Sequence, residues 1–267
     1  MGNTEREEAL VARLDGASAL VVGANGGIGQ GIVAALQSAG CRVAASDVHP
    51  APVAASDETL YSPADLTVEH STRALFGWAA DRLGRIDIVV NSAGIGHVDP
   101  LQSLPMETWR RVFSVNVEAA LLISQLSVQQ MVAQPVSQAL DRRGLIVHIS
   151  SLAAEHGRPL SAAYGASKAA LNHLAKSFAA TFAEQSISTA VVAPGAVADG
   201  MLRYLLPEIE RFGGKDEIES RKAEGVLFGA DQSPSDVGAF VAAVAAQPGL
   251  SMNGMELWTT PTRGPIA

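Results

Sequence analysis

Short apolar runs alternate along the chain with longer stretches in which apolar residues recur at helical spacing. The short runs have the length of buried strands, and the longer patterns have the length of helices. Strands that alternate with helices form parallel sheets, because each connection must cross a face of the sheet. The pattern therefore predicts an α/β fold. The predicted strands are 19–22, 42–46, 59–62, 86–90 and 145–149, and the predicted helices are 30–39, 68–83 with Thr67 as its cap, 105–131 and 163–184.

The first predicted strand runs into a glycine-rich turn. Gly23, Gly27 and Gly29, with Gly26 beside them, let the backbone turn sharply and approach a phosphate without side-chain obstruction. The next helix begins directly behind these glycines, so its amino terminus faces a bound anion. The turn predicts a pyrophosphate site, and a glycine turn without a ligand is the alternative.

The second predicted strand ends in an acidic residue, Asp47. An aspartate at this place accepts hydrogen bonds from both hydroxyls of an adenosine ribose and repels a 2′-phosphate. No basic residue lies between Gly23 and Gly29 to reverse that preference, although Arg42 is close enough in sequence to approach. The sequence therefore predicts NAD rather than NADP as the dinucleotide.

A serine, a tyrosine and a lysine form the candidate reaction site. Ser151 follows the apolar run 145–149, and Tyr164 and Lys168 share one face of a predicted helix because they are four positions apart. A nearby ammonium favours a phenolate, so we expect Lys168 to lower the pKa of Tyr164 from its ordinary value near 10. Tyr164 then carries protons near neutral pH, and the Ser151 hydroxyl stabilises a charged substrate oxygen. A Tyr-x-x-x-Lys pair alone also arises by chance.

Composition and charge narrow the classes of partner. The formal charge of −8 argues against nucleic acid or an anionic membrane surface. No apolar run approaches the roughly 18 residues of a membrane helix, and the first residues lack the apolar core of a signal peptide. The single cysteine, Cys41, cannot form an internal disulfide. We therefore expect a cytoplasmic protein with no metal ion, no nucleic acid partner and no membrane.

Several short motifs occur together in one order. No single motif is specific, but their joint order resembles the short-chain dehydrogenase/reductase family, in its short single-domain branch, over nearly the whole chain. The matching residues are Gly23-x3-Gly27-x-Gly29, Asp65 in Asp-Leu-Thr, Asn91-Ser92-Ala93-Gly94, Asn116, Ser151, Tyr164-x3-Lys168 and Pro194-Gly195.

The resemblance implies a fold, a cofactor and an assembly. It implies a Rossmann-like, doubly wound parallel sheet of about seven strands with helices on both faces, in one domain that spans residues 1–267. It also implies hydride transfer between a nicotinamide cofactor and a secondary alcohol or ketone. A homotetramer is implied as well, with the helices near 104–131 and 163–184 paired across one interface.

The resemblance also implies roles for single residues. Tyr164 is the acid/base, Lys168 lowers its pKa and holds the nicotinamide ribose, and Ser151 orients the substrate oxygen. Asn116 supports a water beside Lys168, although a polar residue in an apolar helix is commonly bonded only to backbone. The implied cofactor contacts are Gly23, Asn25, Gly26, Gly27, Ile28, Gly29, Asp47, Asp65, Leu66, Asn91, Ala93, Gly94, Tyr164, Lys168, Pro194, Gly195 and Val197.

The chain departs from the family pattern at several positions. Val22 stands where the family has a threonine, and Ser92 replaces an asparagine. Asp199 replaces a threonine that bonds the nicotinamide carboxamide, and a carboxylate accepts from the amide NH2 but cannot donate to its carbonyl. The tail 252–258 lacks the family's Asp-Gly ending. A catalytically silent nicotinamide-binding regulatory or scaffold protein of the same fold is therefore the alternative hypothesis.

The segment 200–229 mixes apolar and charged residues without a clean period. In the family this region forms a lid over the substrate, which excludes water during hydride transfer. The alternative is a surface helix pair bound to a neighbouring subunit. His97 and His156 follow strands at the substrate-binding edge and are interpreted as loop residues, whereas His148 is interpreted as a packed strand residue.

Overall fold

Seven parallel strands form one sheet. The structure is a computed structural model that describes residues 13–50, 60–157, 160–197, 201, 204–205, 207–212 and 232–259. The order across the sheet is β3-β2-β1-β4-β5-β6-β7, and every neighbouring pair is parallel. This confirms the predicted α/β sheet. The strands are β1 (Ser18–Val22), β2 (Arg42–Ser46), β3 (Leu60–Tyr61), β4 (Ile88–Asn91), β5 (Gly144–Ile149), β6 (Ile187–Ala193) and β7 (Glu256–Trp258).

Helices cover both faces of the sheet. They are α1 (Gly27–Ser38), α2 (Glu69–Leu83), α3 (Met106–Phe113), α4 (Ala119–Val132), α5 (Ala162–Phe182) and α6 (Pro234–Ala245). Helices α1 and α6 pack on one face, and α2, α4 and α5 pack on the other. Successive strand residues point to opposite faces, so each strand contributes to both cores. The first core contains Val21, Ile32, Leu36, Val147 and Val241, and the second contains Leu20, Leu75, Ile123, Ile146 and Phe178.

The direction in which the chain crosses the sheet changes at β1. Strands β2 and β3 lie on one side of β1, and β4 to β7 lie on the other. The connections that follow β1 and β4 diverge, which leaves a crevice at the carboxyl edge where sheets of this kind bind ligands. The predicted site residues lie at this edge: Gly23 after β1, Asp47 after β2, Asn91 at the end of β4, Ser151 after β5 and Pro194 after β6.

Several element boundaries differ from those predicted. Helix α2 begins at Glu69 with Val68 in the cap position, so the prediction that Thr67 caps this helix is wrong. The Thr67 hydroxyl instead donates to Asp65 Oδ1 at 2.6 Å. The predicted helix 105–131 contains a π-helical turn, Ser114–Glu118, between α3 and α4. Strand β7 forms within the tail that departs from the family pattern.

The continuous helical stretch Met106–Val132 is long and apolar enough, by length and composition, to cross a membrane. Half of its most apolar window is buried inside the fold. Its inner residues, such as Ile123, pack against the sheet as in the core helix of a globular domain. A core helix of this kind satisfies the same criterion, so the stretch is weak support for a membrane span.

Helices α1 and α6 approach each other through two glycines. A Cβ atom on Gly238 would collide with the carbonyl of Gly31, and a Cβ on Gly31 would collide with the carbonyl of Pro234. Both obstacles are backbone atoms, which cannot rotate away. We expect Gly238→Ala to lower the free energy of unfolding by about 1–3 kcal/mol, measured by denaturant titration.

The control is Gly77→Ala in α2, where a Cβ atom meets nothing within 4 Å. That substitution should raise stability by about 0.5–1 kcal/mol, because alanine favours the helix more than glycine. Equal effects of the two substitutions would contradict the close backbone contact.

Candidate active site

The structure brings Ser151, Tyr164 and Lys168 together beyond the carboxyl end of β5. Ser151 caps a single 3-10 turn, and its Oγ accepts from the Ala153 N–H at 3.1 Å. Tyr164 and Lys168 lie in the first two turns of α5. The Ser151 hydroxyl interacts with the Tyr164 phenol and lowers its pKa, and Lys168 Nζ lies 5.7 Å from the centre of the Tyr164 ring. The three side chains therefore form one cluster.

Lys168 is buried beneath the end of β5. Its Nζ donates to the carbonyl of Ile149, the last residue of that strand, at 2.8 Å. Burial lowers the pKa of Lys168 to about 8. The amine therefore still carries a proton at neutral pH, and its position is set by the strand.

The Tyr164 phenol has a pKa above its ordinary value. Burial raises the pKa, and the hydrogen bond from Ser151 lowers it by less. The sequence-based expectation that the pKa of Tyr164 falls from its ordinary value towards neutrality is therefore wrong in this structure. Burial penalises the phenolate, and the ammonium of Lys168 is turned to the carbonyl of Ile149. At neutral pH the phenol is protonated and available as an acid.

Asn116 lies in the π-helical turn between α3 and α4. Its Oδ1 accepts from the Ile95 N–H at 2.8 Å, and its Nδ2 donates to the Ile95 carbonyl and to Ser167 Oγ, both at 2.9 Å. A Cβ atom built on Gly94 would lie 3.2 Å from Lys168 Nζ and 3.3 Å from Asn116 Oδ1. Asn116 thus bonds backbone and also lies beside Lys168. Single π turns of this kind occur frequently at functional sites.

The glycine turn after β1 fits a pyrophosphate. Gly23 has a φ of +74°, and a Cβ atom there would collide with the backbone of Ser92 and Ala93. Helix α1 begins with Gly26 in the cap position, and this glycine has no side chain that could cap the first N–H groups. Uncapped N–H groups and the positive end of the helix dipole attract an anion. The turn therefore presents a cradle for the phosphates of a dinucleotide.

Asp47 lies beside the glycine turn. Its Oδ2 accepts from the Asn25 N–H at 3.0 Å, and Asn25 Nδ2 donates to the Tyr61 hydroxyl at 3.1 Å. Arg42 lies at the other end of β2, where its guanidinium donates to the carbonyls of Leu83 and Arg82. Arg42 therefore does not approach Asp47.

The remaining predicted cofactor contacts lie along the same edge. Asp65 and Leu66 follow β3, and Asp65 Oδ1 also accepts from the Thr67 N–H at 2.9 Å. Pro194 and Gly195 follow β6, where the Pro194 carbonyl accepts from the Leu152 N–H at 3.3 Å. Three further predicted contacts, Gly27, Ile28 and Gly29, lie in the first turn of α1, and Ala93 follows β4. Val197 is buried and forms a β-bridge with Gln232.

Two predictions fall on residues that the structure does not describe. Asp199 lies outside the described residues, as does most of the predicted lid at 200–229. Of that segment, Met201 and Leu205 lie close to Gly96, since a Cβ atom there would meet the Met201 Sδ and come within 2.9 Å of Leu205 Cδ1. Ile209 joins Leu205 in a small apolar cluster with Val98 and Leu160. These contacts lie beside the loops that follow β4 and β5.

Some residues around the site were not predicted from the sequence. Ser167 holds the Asn116 amide, and Tyr61 holds the Asn25 amide. The position of Ser167 directly before Lys168 was the available signal for the first. A lone tyrosine at the end of a two-residue strand gave no comparable signal. Cys41 is buried, and burial and Asp87 raise the pKa of its thiol to about 12, so it is not a nucleophile.

The predicted loop histidine His97 lies at the rim of this edge. Its Nε2 lies 2.8 Å from Asp99 Oδ2, and its side chain is 48% exposed. The Asp99 N–H donates to the Leu160 carbonyl at 3.0 Å, which joins the loops after β4 and β5. His156 is exposed in the loop that follows the Leu152–Ala154 turn.

Comparisons with known proteins agree with this geometry. The family model described as short chain dehydrogenase matches residues 17–209. The chain is 34% identical over 208 residues to a 7alpha-hydroxysteroid dehydrogenase of Escherichia coli, covering 74% of this chain and 78% of that protein. It is 31% identical over 190 residues to a sorbitol dehydrogenase of Cereibacter sphaeroides, covering 69% and 72%.

A third relative is similar over more of the chain. An L-2,3-butanediol dehydrogenase of Corynebacterium glutamicum is 27% identical over 241 residues, which cover 86% of this chain and 91% of that protein. The family match at 17–209 includes the glycine turn, Ser151, Tyr164 and Lys168. Because this match covers more than half of the chain, the chain belongs to the short-chain dehydrogenase/reductase family, whose members are oxidoreductases that bind a nicotinamide cofactor.

Proposed function

We propose that the protein transfers hydride between NAD(H) and a secondary alcohol or ketone. The observation that carries the proposal is the meeting of Ser151, Tyr164 and Lys168 at the edge that also holds the glycine turn. A carbonyl oxygen in this cluster can contact the Ser151 hydroxyl and the Tyr164 phenol together. The three relatives are named as dehydrogenases of hydroxyl compounds, which supports the reaction class.

The proton follows a short route in this proposal. During reduction the Ser151 hydroxyl donates a hydrogen bond to the carbonyl oxygen, and the Tyr164 phenol transfers its proton to the same atom. The Lys168 ammonium stabilises the phenolate that remains. Oxidation uses the same groups in reverse, with Tyr164 as the base. The nicotinamide, when bound, supplies or accepts the hydride.

The cofactor is held by groups of three kinds in this proposal. The open N–H groups behind Gly26 bind the pyrophosphate, and Asp47 accepts from the hydroxyls of the adenosine ribose. Lys168 contacts the nicotinamide ribose, and the backbone at 194–197 borders the nicotinamide. The preference for NAD follows from Asp47, because a carboxylate repels a 2′-phosphate.

The preference can be tested with Asp47→Ala. Removing the carboxylate deletes a charge-assisted hydrogen bond to the ribose and the repulsion of a 2′-phosphate. We expect the ratio of kcat/KM for NAD over NADP to fall by about tenfold or more. Asp81→Ala is the control, because it removes the same charge from an exposed position on α2. An unchanged ratio in Asp47→Ala would show that the acid does not contact the ribose.

The reaction itself is tested with a panel of ketones and secondary alcohols. Nicotinamide absorbance is followed with NAD and with NADP, after NADH binding has been measured by fluorescence titration. Turnover of at least one ketone or alcohol supports the proposal. Binding of NADH without turnover of any member of a broad panel favours the silent regulatory or scaffold protein instead.

The proposal includes a cytoplasmic, single-domain protein that assembles as a homotetramer. The outer surfaces of α3 and α4 expose apolar side chains at Met106, Leu121 and Val132, which a neighbouring copy would cover. Light scattering coupled to size exclusion measures the mass of the assembly. A monomer at micromolar concentration would contradict this part of the proposal.

A further inference from the structure

A chain of buried hydrogen bonds runs behind the site from α4 to the loop after β4. The Ser124 hydroxyl donates to the Ala120 carbonyl at 2.7 Å, and Ser124 Oγ lies 3.1 Å from His148 Nε2. His148 Nδ1 lies 3.3 Å from Asn91 Nδ2. Asn91 Oδ1 accepts from the Ala93 N–H at 3.2 Å. Four bonds thus link two backbone groups on different elements.

The direction of every bond in this chain follows from its two ends. The Ala93 N–H can only donate, so Asn91 turns its oxygen to it and its NH2 to His148. His148 Nδ1 must then accept, which leaves the ring proton on Nε2, where it donates to Ser124. The hydroxyl proton of Ser124 is directed to the Ala120 carbonyl, which can only accept. One neutral tautomer of His148 satisfies all four bonds.

Electrostatics keep the ring neutral. Among the described residues, His148 and Ser124 have no exposed surface and Asn91 has almost none. Burial and, to a smaller extent, the nearby charge of Lys168 together lower the pKa of His148 to about 3. A protonated ring would direct an N–H from Nδ1 against the NH2 of Asn91. The hydrogen-bond chain is therefore intact at any pH near neutrality.

The hydrogen-bond chain connects two segments that line the candidate site, the helical stretch 106–132 and the loop 91–95. Ala120 is the second residue after the π-helical turn that carries Asn116. Ala93 belongs to the loop 91–95. In the same loop, the backbone N–H and carbonyl of Ile95 are hydrogen-bonded to the Asn116 amide. The same loop packs on Gly23, where a Cβ atom would collide with it. The loop is thus bonded to the helical stretch 106–132 at two places. Asn116, which lies beside Lys168, bonds it directly, and His148 links it to Ser124 through Asn91.

We propose that His148 is a positioning residue that, as its neutral Nε2–H tautomer, couples α4 to the loop 91–95 and holds that loop against the glycine turn. The cofactor then meets a preformed wall, at no cost in ordering the loop on binding. The proposal rests on the proposed function for the identity of the cofactor. The coupling itself does not need the cofactor and can be measured in the free protein.

A matched pair of substitutions separates the hydrogen bonds made by the two ring nitrogens. His148→Asn carries an amide oxygen near the position of Nδ1, so it keeps the bond from Asn91 and loses the bond to Ser124. His148→Gln carries an amide nitrogen near the position of Nε2, so it keeps the bond to Ser124 and leaves the Asn91 NH2 without an acceptor. Both variants remove the imidazole, and asparagine leaves the larger void, so a role limited to filling space predicts an effect of His148→Asn at least as large as that of His148→Gln.

Two readouts follow from the proposal. Amide hydrogen exchange in the loop 91–95 of the free protein should be at least tenfold faster in His148→Gln and within about threefold of wild type in His148→Asn. The Kd for NADH, from fluorescence titration, should rise about fivefold or more in His148→Gln and less than twofold in His148→Asn. The KM for the cofactor should follow the Kd, with a smaller change in kcat.

The outcomes are separable. Equal exchange rates in the two variants would overturn the positioning role. If wild type fails to bind NADH, the proposed function fails, and the exchange measurement still tests the coupling. If neither variant folds, nitrogen NMR of histidine-labelled wild type tests the proposal instead. An Nε2–H ring that does not titrate between about pH 5 and pH 9 supports it. An Nδ1–H ring, or a ring that titrates in this range, overturns it.

Discussion

Tyr164→Phe is expected to reduce turnover by about 10²–10⁴-fold, the range that a positioned acid/base contributes. The substitution removes only the hydroxyl that interacts with Ser151, and it leaves the ring beside Lys168 in place. NADH binding should stay within about threefold of wild type, because the glycine turn and Asp47 are untouched. Steady-state rates with a turned-over ketone and an NADH titration measure the two quantities.

The pH profile of the wild-type enzyme gives the same hypothesis a second test. Because burial raises the pKa of Tyr164, the phenol is protonated at neutral pH. Reduction should therefore be nearly level around neutrality, and oxidation, which needs the phenolate, should rise with pH into the alkaline range. Tyr164→Phe should lose the alkaline rise in oxidation. A variant that kept most of its rate, or kept that rise, would remove Tyr164 from the mechanism.

Lys168→Met is expected to lower kcat by about 10²-fold or more. The substitution replaces the ammonium by an apolar side chain of similar length, and it leaves the Ile149 carbonyl without its donor. Without the cation the phenolate is less favoured, so the pKa of Tyr164 should rise further. The alkaline rise in oxidation should therefore move to higher pH, which initial rates across a pH series will measure.

Lys176→Met is the matched control for this prediction. Lys176 lies on the same helix, but its side chain is about half exposed and pairs with Glu256 at 2.7 Å. A change of less than about twofold is expected there, because exposed ion pairs contribute little. If the pH profile of Lys168→Met coincides with that of wild type, the ammonium does not act on the phenol.

Features that depend on short stretches of sequence were predictable. The glycine turn, Asp47 at the end of β2 and the Tyr164–Lys168 spacing each follow from a local pattern, and the structure has them at one edge. The sheet order could be stated only in outline, because periodicity does not show which strands are neighbours. Strand β7, within a tail that departs from the family pattern, shows how pairing with β6 can form a strand where the local signal is weak.

Features that depend on contacts between distant segments were not predictable. The pKa of Tyr164 is raised, whereas the sequence predicted that it is lowered. The Tyr164–Lys168 spacing indicates that a cation is near the phenol, but it does not show that the phenol is buried. Thr67 had the chemistry of a cap, yet its hydroxyl is bonded by Asp65 instead. The partners of His148 lie on α4 and at the end of β4, so the sequence could suggest only that this residue was packed.

The glycine contact between α1 and α6 has a consequence for shortened forms of the protein. The family match ends at residue 209, before α6 begins at Pro234. Yet α6 packs against α1, the helix whose amino end we propose binds the phosphates, and Gly238 lies against Gly31. A fragment cut after the matched region would keep every residue of the glycine turn and lose the support behind it. Such a fragment should bind dinucleotide poorly, although it keeps every cofactor contact that we propose.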